Sequence, residues 1–110
     1  MPDSILLRGT LDLLILKVLI LGPMNGFEIT RAIEDRSDGS LDVEDSALYQ
    51  ALHRMEERQL LEAEWGVSDK NRRARYYRVT RAGRARLREE SQRWALSAKT
   101  VLRILGEVAR

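Results

Sequence analysis

Eight arginines stand within the eighteen residues from Asn71 to Arg88, NRRARYYRVTRAGRARLR, without one acid among them. Guanidinium groups at that density favour phosphate or carboxylate oxygens, because each offers a planar fork of donors and stays charged at physiological pH. Upstream, Ser46, Tyr49, Gln50, His53 and Arg54 recur at three- and four-residue steps, the spacing of neighbours on a helix surface, and each ends in a hydrogen-bonding group. An amide such as that of Gln50 is able to bond adenine through two atoms, whereas an arginine on a phosphate binds without regard to sequence.

Where these residues sit decides what they do. The chain of 110 residues is nearly balanced, with 19 Lys and Arg against 17 Asp and Glu, but the charges are segregated. Met1 to Gly66 carries six basic and thirteen acidic residues, net −7; Val67 to Arg88 carries nine and one, net +8; Glu89 to Arg110 carries four and three, net +1. A basic block of this kind serves as a solvated face, a membrane patch or a nucleic-acid contact, and composition does not separate the three.

Other chemistries are poorly supplied. The length is one domain's worth of chain. There is no cysteine and a single histidine, so disulfides, thiolate metal sites and cysteine nucleophiles are excluded, and no metal site can be built around His53. No glycine-rich phosphate loop occurs, and the acids from Asp35 to Asp45 lack the order of a calcium loop. No catalytic role and no cofactor are expected. The apolar stretch LDLLILKVLIL, Leu11 to Leu21, is interrupted by Asp12 and Lys17 and is too short to cross a bilayer, so a cytoplasmic protein is expected.

The elements follow from periodicity. Thr10 caps a helix running to Leu21, apolar nearly all round and therefore buried on several sides, and Gly22-Pro23 stops it. Asn25 and Glu28 form a capping box that opens a second helix, with Phe27, Ile29, Ala32 and Ile33 as its apolar positions and a stop near Ser37-Asp38-Gly39. A third helix begins between Glu44 and Ser46 and buries Leu48, Leu52 and Met55; its opposite face carries Ser46, Gln50, His53 and Glu57. The period then drops to two: Leu61, Ala63, Trp65 and Val67 alternate with Glu62, Glu64 and Gly66, a half-buried strand. SDKNR turns the chain, and Ala74 to Thr80 returns as a second strand, on which Arg75 or Arg78 can pair with Glu62 or Glu64. Trp65 is read as packing under the hairpin. From Thr80, a possible N-cap, one long helix carries Leu87, Ser91, Trp94, Ala98, Val101, Leu105 and Val108 on a heptad seam that Leu102 and Ile104 widen.

Three short helices, a two-stranded β-hairpin and a trailing helix give a mostly α fold, a winged helix-turn-helix over residues 1–80 followed by a C-terminal dimerisation helix over residues 81–110. In that architecture the third helix enters the major groove and the hairpin touches the backbone beside it. Ser46, Gln50, His53 and Arg54 then face DNA, Tyr49 is equally well read as a core tyrosine showing its hydroxyl, and Lys70, Arg72, Arg73 and Arg75 sit where a wing meets phosphates. A two-fold dimer bound to near-palindromic double-stranded DNA is expected, with Leu87, Trp94, Val101, Leu105 and Val108 between the subunits. The alternative is a winged-helix module that binds an acidic protein partner.

Three motifs, GFEITRAIE, LYQALHRMEERQLLEAEW and RARYYRVTRAG, resemble in order and separation those of the PadR-like transcriptional regulators. The resemblance implies a dimeric winged-helix DNA-binding protein, usually a repressor, that dimerises through its C-terminal helix and is released by a ligand. It also implies that Tyr49 touches DNA. In multidrug-binding members a tryptophan at the place of Trp94 lines an aromatic pocket across the dimer axis, which points to a small aromatic effector beside Trp94 and Ala98, where Ser91 and Ala95 are small neighbours. This chain departs from the pattern at Ser46-Ala47-Leu48-Tyr49-Gln50, where the family has a small residue, Ser or Thr, then Leu-Tyr-Pro, and at Gln59, where a glycine often ends the helix.

Overall fold

The structure, a computed structural model, describes residues 10–106. Among the described residues, four helices and three strands follow in the order α1 (Leu11–Leu19), β1 (Met24–Asn25), α2 (Gly26–Arg36), α3 (Asp45–Glu57), β2 (Leu61–Val67), β3 (Arg73–Val79) and α4 (Arg81–Leu105). Val108, expected on the dimer seam, lies outside the described residues.

The core forms around α1, which packs against α2, α3, α4 and β3. Ile15, Leu16 and Leu19 of α1 are fully enclosed with Ile29, Leu48, Leu52, Met55 and Leu61. An all-round apolar helix is thus explained by four packing partners within one chain. The helix ends two residues earlier than its apolar run, at Leu19, and Leu21 lies exposed beyond it.

The box at the start of α2 forms as its residue types dictate: the Glu28 N–H donates to Asn25 Oδ1 at 2.9 Å, and the Asn25 N–H donates to Glu28 Oε1 at 3.0 Å. Phe27 departs from the expected core stripe. It stands nearly opposite Ile29 on the helix and is 61% exposed.

The two-stranded hairpin becomes a three-stranded antiparallel sheet of order β1-β3-β2. Met24 pairs with Tyr77 and Asn25 with Tyr76, so the two residues before α2 extend the sheet. So short a strand has no alternation to show; it exists because β3 offers it an edge. In the wing itself Leu61 pairs with Val79, Glu62 with Arg78 and Trp65 with Arg75. The tip closes with the Asn71 N–H donating to the Ser68 carbonyl at 2.8 Å, and Asn71 takes the left-handed conformation at φ 60° that asparagine tolerates.

One junction ties α3, the wing and α4 together. α3 ends in a double closure, with the Gln59 N–H donating to Glu56 O at 3.0 Å and the Leu60 N–H to Met55 O at 2.9 Å, while Gln59 adopts φ 63°. The Leu60 carbonyl accepts the Thr80 N–H at 3.0 Å. The Thr80 hydroxyl donates to the Gln59 carbonyl at 2.8 Å and accepts the Gly83 N–H at 3.0 Å, capping α4 while anchoring it to the end of α3.

Candidate nucleic-acid interface

The α3 face expected to read bases is exposed. Ser46, Tyr49, Gln50 and His53 project from it, and the backs of the same turns bury Leu48, Ala51, Leu52 and Met55. His53 Nε2 lies 3.4 Å from the Glu57 carboxylate one turn on. Tyr49 rests against Gly26 at the start of α2, where there is no side chain to exclude its ring. Burial, followed by the neighbouring Tyr77 and Asp45, raises the Tyr49 pKa above its ordinary 10.0, so the phenol remains a hydrogen-bond donor throughout the neutral range.

The arginine block divides by what each side chain meets. Arg78 pairs across the strands with Glu62 at 3.1 Å, one of the pairings the alternation allowed. Arg75 turns inward instead and grips Glu56 of α3 with both arms, at 2.9 and 2.8 Å, and this hydrogen bond to Glu56 raises its pKa further. Arg54 of α3 points to α1 and bonds Asp12 at 2.7 Å. Arg54 and Arg75, expected on DNA, are therefore both neutralised inside the chain. The turn residues Lys70 and Arg72 and the neighbouring Arg73 are exposed, and among the described residues none of the three pairs with a carboxylate.

Those free cations border a groove of ≈ 590 Å³ between the wing and the start of α2, whose walls include Phe27, Tyr49, Trp65, Lys70 and Arg73. The Arg73 guanidinium lies 4.4 Å from the centre of the Trp65 ring, and Lys70 stands 5.8 Å from that of Phe27. Trp65 was expected beneath the hairpin and is 56% exposed. The alternation put it on the same face as Leu61, but the wing extends past the core before that face reaches Trp65. Phe27 and Trp65 are thus groove residues that sequence reasoning assigned to packing; for Phe27, its angular offset from Ile29 was the available signal.

The scaffold has known counterparts. The profile of the Transcriptional regulator PadR-like family matches residues 15–89, which include every residue of the α3 face and the wing. A transcriptional regulator from Clostridium thermocellum superimposes with a TM-score of 0.80 at 30% identity, covering 87% of this chain and 93% of that one. A PadR family transcriptional regulator from Eggerthella lenta gives 0.79 at 30% identity, over 93% and 87%. An uncharacterised protein from Lysinibacillus sphaericus is 36% identical over 96 residues, 86% of this chain and 87% of its own length. The chain belongs to the PadR-like family of transcriptional regulators.

In this PadR-like regulator the remaining candidates lie on α4. Leu87 is buried, Ala98 is half-buried, and Trp94, Val101 and Leu105 are 48%, 53% and 62% exposed. Beyond Leu87 the expected seam lies uncovered in the single chain. Trp94 borders a small cavity of ≈ 210 Å³ between α1, α3 and α4, shared with Asp12, Met55, Arg86 and Glu90. Ala98 does not line it. Among the described residues, no helix is long and apolar enough to cross a membrane.

Proposed function

We propose that this regulator is a sequence-specific DNA-binding homodimer that acts as a repressor in the cytoplasm. The observation that carries the reading is that Lys70, Arg72 and Arg73 lack acidic partners among the described residues, on the same groove that Tyr49 of α3 enters. Elsewhere on the wing and on α3, arginines are neutralised by carboxylates within reach. Cations held free at a wing tip suit phosphates, which supply affinity and register, while Ser46, Gln50 and His53, with Tyr49, supply selectivity from the major groove.

Dimerisation is supported by Val101, Leu102, Ile104 and Leu105 of α4, exposed together at the end of a long helix. A two-fold pair with residues 81–110 as the dimerisation region and residues 1–80 as the DNA-binding domain presents two α3 helices to two half-sites about one helical turn, or a multiple, apart. Trp94, half exposed on that seam, offers its ring to a flat aromatic effector at the dimer centre, and a ligand favouring one spacing of the α3 helices shifts DNA affinity by its differential binding to the two states.

Selection of bound sequences from a random duplex pool by the purified protein tests the reading. An enriched, near-palindromic sequence is expected. A pool that remains random after successive rounds, with binding to all duplexes alike, overturns sequence-specific recognition.

A further inference from the structure

We propose that Arg75 and Glu56 fasten the wing at one angle to the recognition helix, which makes Arg75 a positioning residue for DNA recognition and not a phosphate ligand; the inference rests on the DNA-binding reading above. Both guanidinium arms are engaged, Nη1 to Glu56 Oε1 at 2.9 Å and Nη2 to Glu56 Oε2 at 2.8 Å. The rings of Trp65 and Tyr77 lie 6.0 and 5.9 Å from the same guanidinium. A two-armed pair of planar groups resists rotation as well as separation.

The place of the pair along the wing gives it leverage. β1 covers β3 only at Tyr77 and Tyr76, so the next residue toward the tip, Arg75, begins a ribbon of two strands, Arg73–Arg75 against Trp65–Val67. A two-stranded ribbon is marginal by itself. The Arg75–Glu56 pair ties that ribbon back to the body at its first unsupported rung.

Glu56 is also poorly placed for the helix that bears it. It stands in the last turn of α3, where the partial negative charge of the helix end disfavours a carboxylate. Its placement makes sense as half of a pair spanning two elements. With the pair closed, the free cations Lys70, Arg72 and Arg73 hold a fixed register relative to Ser46 and Gln50, so phosphates and bases are met together only on the right sequence. With it open, the tip still finds phosphates and selectivity falls.

The test uses Glu56→Gln and Arg75→Gln in the full chain, each checked for a parental far-ultraviolet dichroism spectrum. In the free protein, amide exchange followed by NMR should quicken roughly tenfold or more at Trp65–Val67 and Arg73–Arg75, the scale of a local opening free energy lowered by 1.4 kcal/mol, with little change at Leu61 and Val79. The double exchange Glu56→Arg with Arg75→Glu should restore the protection. On DNA, both single variants should lose roughly tenfold in the ratio of affinity for the selected duplex over an unrelated one, while the slope of log affinity against log salt keeps its parental value.

Tighter binding to both duplexes by Glu56→Gln, with a steeper salt slope, would show a released Arg75 going to phosphate and overturn the proposal. Unchanged exchange at the tip overturns it as well. If the parent itself shows no preference among duplexes, the DNA-binding reading fails and the role in recognition fails with it, whereas the exchange measurement still decides whether the pair fastens the wing.

Discussion

The phenol of Tyr49 on α3 lies in the space that a β-carbon on Gly26 would fill. Two elements of the proposed DNA-facing surface are thereby set against each other through the absence of a side chain. Gly26→Ala must displace the ring, and because Tyr49 is half exposed its outer end is free to swing. Ala also suits a helix better than Gly by about 0.5–1 kcal/mol, so stability measured by urea unfolding should change by less than about 1 kcal/mol. Affinity for the selected duplex should fall while affinity for an unrelated one is kept, as read by fluorescence anisotropy. Equal losses on both would remove Tyr49 from sequence reading.

Gly83 poses the opposite case, since a β-carbon there would meet the Leu60 carbonyl, which is backbone and held by the Thr80 N–H, and Val79 Cγ2 at 2.6 Å. Nothing at that junction swings aside. Gly83→Ala should destabilise the protein by about 1–3 kcal/mol, seen as a lower urea midpoint with an unchanged slope. A neutral result would mean that α4 shifts freely on the end of α3.

Gln59 occupies the left-handed position that closes α3, at φ 63°, where a side chain costs about 1 kcal/mol relative to glycine. Its carbonyl, which accepts from Thr80, survives the substitution Gln59→Gly. The variant should therefore be more stable by about 1 kcal/mol, and a thermal melt below that of the parent would contradict the assigned strain.

At the wing tip, Arg72→Ala combined with Arg73→Ala should weaken binding to every duplex alike. The slope of log affinity against log salt should fall by about two units, because each arginine removed leaves one phosphate with its counterions in place. Gln50→Ala, by contrast, should alter preference among sequences at a constant slope. A parental salt slope in the double arginine variant would place the wing off the backbone.

On α4, Val101 and Leu105 are 53% and 62% exposed in the single chain, so Asp at both positions costs the isolated fold little. In a two-fold dimer the same substitutions bury unpaired charge. Sedimentation should show a dimer for the parent and a folded monomer for Val101→Asp with Leu105→Asp, and a monomeric parent at micromolar concentration would refute the dimer.

Much of this architecture was written in local patterns. The three-four spacing of Leu48, Leu52 and Met55, the Asn25–Glu28 box, the two-residue alternation from Leu61 and the Thr80 cap each depend on neighbours in the chain, so the sequence by itself determined the four helices, the hairpin and the exposed face bearing Ser46, Gln50 and His53. Tertiary structure decided what depends on distance between elements. β1 is two residues paired to a strand some fifty positions later, a separation without periodic trace. Of the arginines, only packing could show that Arg75 meets Glu56 and Arg54 meets Asp12 while Arg72 and Arg73 meet no carboxylate among the described residues, because all carry the same charge and differ only in which carboxylate the fold brings near. Trp65 and Phe27 became groove walls for the same reason: hydrophobic pattern tells which face a residue occupies, and the reach of the core tells whether that face is covered there.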